Sequence, residues 1–478
     1  MSEQQPQQQS TMQINTPSLP KMGGAIQSIG KGWGPIGTNG AASLQIPLPI
    51  SSGRGFAPGL GLNYSSNGGN SIFGIGWHLN IKVIYLRTSK GVPEYKGNDL
   101  VTGPDGDVWM PERDDNGALI SRTTRQYNGV DLGDSHTVVR YWPRIENAFN
   151  LIERWSTAAD PAGFWVFHGA DGIVEIYGKN PRARGADTSD PQRVGAWLIE
   201  ESLNTRGEHI VYEYKADEEA PTLPQLRDYR AQRYLKCVYY GNAKAHPHLY
   251  AWVADSWTKE HWHFHLLFDY GERSTALETA PDYAENNLWL KRSDPYCNYS
   301  FGFEIGTQRL CQQVLMFHHF LKELGPTPVL VQRLLLDHRA SPLGFNHLVA
   351  AHIQAYGAAK QVESRPPMEF HYNTFQLDPK RPGWTPFPDM PGLNDGQRYQ
   401  LVDLHGEGMP GVLCRLDKAW YYREPLRCAS GGDAVCYSDW MSLPYIPTAD
   451  SSKPIHQSLT DLTGDGKLDW VIAMPGMR

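Results

Sequence analysis

Three carboxylates and a hydroxyl fall within nine residues near the end of the sequence: Asp461, Thr463, Asp465 and Asp469. Carboxylates this close repel one another unless water or a cation screens them. Gly464 and Gly466 leave the backbone free to curl oxygens around a hard ion such as calcium. The spacing is not that of an EF-hand, because the place of its bidentate glutamate holds Ile472. The same residues also make a solvated Asx-Gly turn without an ion, so calcium ligation and a self-supporting turn are the two readings to separate. An earlier copy, 401–415, superposes on 459–473 with Asp403 on Asp461 and Glu407 on Asp465. There Gly411 replaces the last acid and His405 a middle oxygen, so calcium is not expected in that copy.

His261, His263 and His265 alternate with Trp262 and Phe264, which places three imidazoles on one face of a strand. That arrangement can bind zinc, and it is equally a polar strand face opposite a packed aromatic one. His318 and His319 are adjacent and point to opposite faces of a strand. Arg54, Arg87 and Arg273 each sit beside a glycine turn or at a strand end, where arginine ties a carbonyl or carboxylate. The acidic stretch 217–219 reads as a solvated loop. No GxSxG elbow, GxxxxGK[ST] phosphate loop, HExxH or helix-opening GxGxxG is present, so the sequence names no catalytic residue.

The elements that must carry these residues are strands. Leu44, Ile46, Leu48 and Ile50 alternate with Ser43, Gln45, Pro47 and Pro49, giving one apolar face to bury and two positions without a ladder donor, the mark of an edge strand. After a turn at Gly53–Gly55, Leu60, Leu62 and Tyr64 repeat the pattern, residues 65–70 (SSNGGN) reverse the chain, and the strand is expected to resume at Phe73. Leu79, Ile81, Val83 and Tyr85 read as a further strand, 164–178 as a hairpin closing on Ala170, Asp171 and Gly172, and 207–214 and 233–242 as more strands. A helix is expected only around 222–233.

These patterns predict a mainly β protein: a polar tail at 1–17, an all-β domain at 18–375, a proline-rich linker at 376–395 and a second β region at 396–478. The two-copy repeat, an apolar residue, an acidic glycine turn and a β run, suits radial stacking into propeller blades. A closed propeller needs at least four blades, so the chain is expected to be part of something larger. With 44 basic against 51 acidic residues and no basic stripe, nucleic acid is an unsuitable partner. No window approaches the ~18 apolar residues of a membrane helix, and the N-terminus lacks the apolar run of a secretory signal. The six cysteines, without CxxC spacing, are expected to be free thiols.

The order of several segments resembles the SpvB/TcB family: 18–26 (SLPKMGGAI), 47–77, 87–95 (RTSKGVPEY), 196–202 (AWLIEES), 233–242 (RYLKCVYYGN), 266–273 (LLFDYGER) and 301–320. The family comprises the N-terminal half of a Salmonella virulence-plasmid toxin and the B component of bacterial insecticidal toxin complexes. The turn motif of 461–469 resembles the FG-GAP or VCBS blade turn. The resemblance implies an antiparallel SpvB-type domain followed by incomplete propeller blades. It also implies a shell that joins a C component (Rhs-type) around a toxic cargo and docks on an A-component channel. Assembly in the bacterial cytoplasm and secretion without a Sec signal peptide follow from the same likeness. The alternative is the delivery half of a two-part SpvB-type toxin. The transferase domain of such a toxin carries a Glu-x-Glu pair, and no two glutamates here stand two positions apart.

Overall fold

A computed structural model of the chain describes residues 33–34, 40–146, 148–217, 227–252, 261–357, 361–373, 398–416, 419–427, 435–445 and 456–473. The tail 1–17 and the linker 376–395 expected from the sequence lie outside these residues. The chain divides into two compact units, Met1–Thr374 and Phe375–Arg478.

In the first unit the strand Val194–Leu203 is a junction. Its first half pairs with Val83–Leu86 and Arg184–Ala186, its second with Val174–Tyr177 and His209–Lys215. One run of antiparallel pairings passes from Val83–Leu86 through Val101–Thr102, Val108–Pro111, Val130–Pro143, Leu151–Ser156 and Phe164–His168 to Val174–Tyr177, closing a barrel. The other run extends through His209–Lys215, Tyr234–Asn242, Trp262–Asp269, Gln313–His318, Val329–Ala340 and Asn346–Tyr356 as a broad antiparallel sheet.

Where both faces of a strand are covered, burial does not follow simple alternation. Tyr234–Asn242 is buried along its whole length. Tyr234, Val238 and Tyr240 face the main core, and Cys237 and Tyr239 join a second cluster with Trp262, Leu267 and Phe317. In the barrel Trp165 packs between Trp109 and Trp197 at centroid distances of 5.7 and 5.9 Å. At the hairpin 164–178, Asp171 Oδ1 accepts the Ile173 N–H at 3.0 Å and Gly172 takes φ +81°, as an Asp-Gly turn requires.

A three-stranded sheet of Ser43–Pro47, Gly61–Ser65 and Trp77–Leu79 completes the first unit, with Ser43–Pro47 at its edge. Leu44, Ile46 and Leu48 are buried in the main core, and Ile50 is only half-buried against it. The third strand begins at Trp77 and not at Phe73, because the Ser71 hydroxyl accepts the Phe73 N–H and donates to the Trp77 carbonyl, holding 71–76 as a loop. The expected strand through residues 79–85 is broken after Leu79, and the buried residues beyond the break are Ile84 and Leu86, not Val83 and Tyr85. Residues 227–233 form turn and loop and 222–226 lie outside the described residues; the described residues hold no α-helix, and short 3-10 turns lie at Gly53–Gly55, Pro181–Ala183 and Tyr250–Trp252.

In the second unit Tyr399–Val402, Gly411–Arg415, Trp420–Arg423 and Met441–Ser442 form a four-stranded antiparallel sheet. The hairpin Pro425–Arg427 with Val435–Tyr437 branches out before the fourth strand. The second repeat pairs His456–Thr460 with Asp469–Ala473. The repeats touch: Trp470 lies on Trp420 at 4.0 Å between centroids, and the Leu468 N–H reaches the Leu404 carbonyl at 3.3 Å. A Cβ at Gly406 would lie 2.1 Å from the Gly466 carbonyl oxygen, so this approach needs glycine.

Candidate functional site

The acids of the second repeat turn inward on their own loop. Asp461 accepts the N–H groups of Gly464 (2.7 Å) and Gly466 (2.9 Å), and Asp465 accepts that of Lys467 (2.9 Å). Asp469 Oδ2 takes the N–H of Leu462 (2.8 Å) and of Thr463 (3.0 Å) and the Thr463 hydroxyl (3.2 Å). Those backbone donors hold the Asp469 carboxyl below its ordinary range. Asp461, Thr463, Asp465 and Asp469 therefore do not converge as an oxygen cage, and among the described residues no three His, Cys, Asp or Glu are placed to hold a metal.

The first repeat shows what the last acid is for. Asp403 accepts the N–H groups of Glu407 (3.0 Å) and Gly408 (2.8 Å), as Asp461 does in its own turn. Gly411 stands where the second copy has Asp469, and the Tyr422 hydroxyl takes over: it faces the Leu404 N–H at 3.4 Å and donates to the Val402 carbonyl at 3.0 Å. A side chain at 411 would meet that hydroxyl at 2.3 Å. Leu404 and Leu462 are equivalent positions, so one backbone donor is served by a carboxylate in one copy and a phenol in the other.

The histidines have separate partners. His265 is fully buried, with Nδ1 2.9 Å from the Tyr283 hydroxyl and Nε2 3.2 Å from the Trp262 carbonyl. His263 stacks on Phe320 at 4.6 Å with Nδ1 3.3 Å from the His319 carbonyl, and His261 is exposed before the strand begins. His318 meets the Ser51 hydroxyl at 2.7 Å, and His319 meets the Pro326 carbonyl at 3.1 Å.

The arginines have structural partners. Arg54, at φ 56°, donates to the Asn242 carbonyl at 2.8 Å and lies 3.7 Å from Glu208. Arg87 donates to the Ser89 hydroxyl at 2.7 Å. Arg273 is buried and donates to Asp269 at 2.9 Å and to the carbonyls of Asp282 and Tyr283. Asp217, expected in a solvated loop, is instead buried in a pair with Arg309 at 2.5 Å. Cys436 is disulfide-bonded, which corrects the expectation of free thiols; Cys237, Cys297, Cys311 and Cys414 are in no disulfide, and Cys428 lies outside the described residues.

The glycine-rich stretch has a role that sequence reasoning missed. Its loop 70–76 is clamped by residues more than 200 positions away. Arg292 donates to the Ser71 carbonyl (2.6 Å) and to Asn70 Oδ1 (2.8 Å), and Asn70 donates to Asp294 at 3.0 Å. The Cys311 N–H donates to the Ile72 carbonyl at 2.7 Å, His338 Nε2 lies 3.1 Å from the Phe73 carbonyl, and the Ile75 N–H donates to the Asn346 carbonyl at 3.1 Å. Gly74 takes φ +91°, and a Cβ there would lie 2.8 Å from the Asn346 carbonyl. Burial would raise the Asp294 carboxyl, but hydrogen bonds from Arg292 and the Asn346 N–H outweigh it and hold it at about 2. Burial pushes His338 down to about 4, against the pull of the Phe73 carbonyl. No local pattern marks Arg292, Asp294 or His338, since their partners are distant in sequence.

The family model described as Salmonella virulence plasmid 65kDa B protein, SpvB, matches residues 36–320. Relatives named mono(ADP-ribosyl)transferase SpvB, from Salmonella typhimurium and Salmonella dublin, are 42% identical over 347 residues, 72% of this chain and 57% of theirs. The chain thus spans little more than half the length of the curated relatives it matches. The Tc holotoxin pore of Photorhabdus luminescens superposes with a TM-score of 0.79 at 39% identity, over 98% of this chain and 21% of that one. The crystal structure of TcdB2-TccC3 does so with a TM-score of 0.75 at 38% identity, over 98% and 22%. The N-terminal domain of the effector protein SpvB from Salmonella typhimurium strain LT2 gives 0.62 at 42% identity, over 66% of this chain and 99% of that one. The antiparallel architecture, the ordered motifs and these matches agree, and the chain belongs to the SpvB/TcB family.

Proposed function

We propose that this chain is a structural and translocation component of a bacterial toxin complex, working through assembly and without chemistry of its own. It forms part of a β shell around a toxic cargo, with a C component as partner, and residues 396–478 begin a propeller that docks on the A-component channel. The observation that carries this reading is coverage. The Tc structures match 98% of the chain, second unit included, whereas the SpvB N-terminal domain matches 66%. The second unit supports it: a four-stranded antiparallel sheet is the size of one blade, and the adjoining repeat packs on it through Trp420 and Trp470. Calcium is dispensable in this reading, because the acids of 461–469 already serve backbone donors. Assembly in the cytoplasm followed by secretion completes it.

The 42% identity to SpvB favours a second reading, in which the chain is the delivery half of a toxin whose enzyme lies elsewhere. Co-purification separates the two. Full-length protein expressed with A and C components should give a stable ternary complex by native mass spectrometry; a protein that captures neither component contradicts the first reading.

A further inference from the structure

A cavity of about 630 Å³ opens on the broad sheet of the first unit, lined by Glu213, Tyr239 and Leu267 of three neighbouring strands, the 3-10 turn Pro181–Ala183 and residues 283–285. Five basic side chains line it, and most are neutralised. Arg273 is paired with Asp269 at 2.9 Å, and Lys236 with Glu285 at 2.9 Å and with Glu272. Lys215 is shared loosely, 4.0 Å from both Glu272 and Glu285. Of the lining acids, Glu285 is thus engaged, and Glu213 accepts the Tyr239 hydroxyl at 3.1 Å.

Two arginines are left over. Among the described residues the Arg233 side chain donates only to main-chain carbonyls, those of Arg230 (2.6 Å), Ala231 (3.2 Å), Gln232 (3.2 Å) and Pro181 (3.4 Å), and its buried Nε has no partner there. Arg182, beside Pro181, is exposed at the rim and has no ion pair among the described residues. Burial lowers the Arg233 guanidinium from its ordinary value. A desolvated cation without a counter-charge is costly, and the guanidinium fork matches the oxygens of phosphate.

We infer that this cavity is a binding site for a phosphate-class oxyanion, with Arg233 and Arg182 as its donors. The cavity exceeds a bare phosphate, and Tyr214, Tyr239 and Tyr283 supply aromatic walls for an organic group carried on it.

Calorimetric titration of the full chain with inorganic phosphate and, separately, with AMP tests this. Phosphate should bind saturably with a Kd on the order of 1 mM. AMP tighter than phosphate assigns the site to organic phosphates, and equal affinity assigns it to the free anion. Arg233→Gln should weaken binding at least about tenfold, ~1.4 kcal/mol. Arg182→Gln, on an exposed side chain that leaves folding intact, should weaken it in the same direction, while Arg87→Gln should not. No saturable heat with either anion, or binding indifferent to both Arg182→Gln and Arg233→Gln, overturns the inference.

Discussion

Tyr422 and Asp469 show that a side chain can be replaced by one of different chemistry when its task is to serve a backbone donor. Tyr422 is 1% exposed, so Tyr422→Phe leaves the Leu404 N–H and the Val402 carbonyl short of a partner and should cost about 1–3 kcal/mol in denaturant unfolding. Adding Ca²⁺ should give no heat and no shift in Tm, and a saturable calcium signal would restore the cage reading of Asp461, Thr463, Asp465 and Asp469. At the clamp on loop 70–76, His338 is held neutral, with a folded value of about 4 against 6.5. A base whose folded pKa is depressed takes up more protons unfolded, so its contribution is full above 6.5 and drains as pH falls towards 4. Asp294, held at about 2 against 3.8, adds a loss below that window. Against His338→Gln, which keeps a donor for the Phe73 carbonyl, the wild type should lose about 2 kcal/mol of relative stability between pH 7 and pH 4.5. Parallel curves for the two proteins would contradict this.

The edge strand Ser43–Pro47 was legible in the sequence, because alternation and two prolines act locally. What the alternation could not show is that the sheet packs on a second one, which leaves Ile46 fully buried and Ile50 only partly so. Ile46→Asp would leave a carboxylate uncompensated in that core, costing roughly 3–5 kcal/mol, and should abolish soluble assembly; a tolerated substitution would count against the packing. Misreadings of the sequence share a cause. Strand parity at 83–86 and the start at Trp77 were misjudged because breaks at Asn80 and Ser71 depend on side-chain hydrogen bonds: Asn80 Oδ1 accepts the Gly61 N–H at 2.5 Å, and the Ser71 hydroxyl fixes its loop. Strands covered on both faces, such as Tyr234–Asn242, give no alternation to read. The turn acids were found by type and spacing, but their direction, inward to backbone donors, is visible only in three dimensions.

At the scale of the molecule, class and family were both readable: β runs cut by glycine turns gave a mainly antiparallel protein, and the ordered motifs gave the SpvB/TcB likeness. The barrel closed through the junction strand Val194–Leu203 was not, because one continuous run of residues pairs with four different strands. The second unit leaves Leu401, Tyr445 and Leu462 exposed beside a small core of Leu413, Trp420 and Tyr422, apolar surface of the kind that a neighbouring element covers. A cryo-EM reconstruction of the assembly formed by full-length protein with its A and C components tests the central claim most directly. The account predicts the first unit in the shell wall and the repeats 401–415 and 459–473 in adjacent blades of a propeller seated on the channel. A reconstruction with the first unit outside the wall, or with the repeats in no propeller, would contradict it.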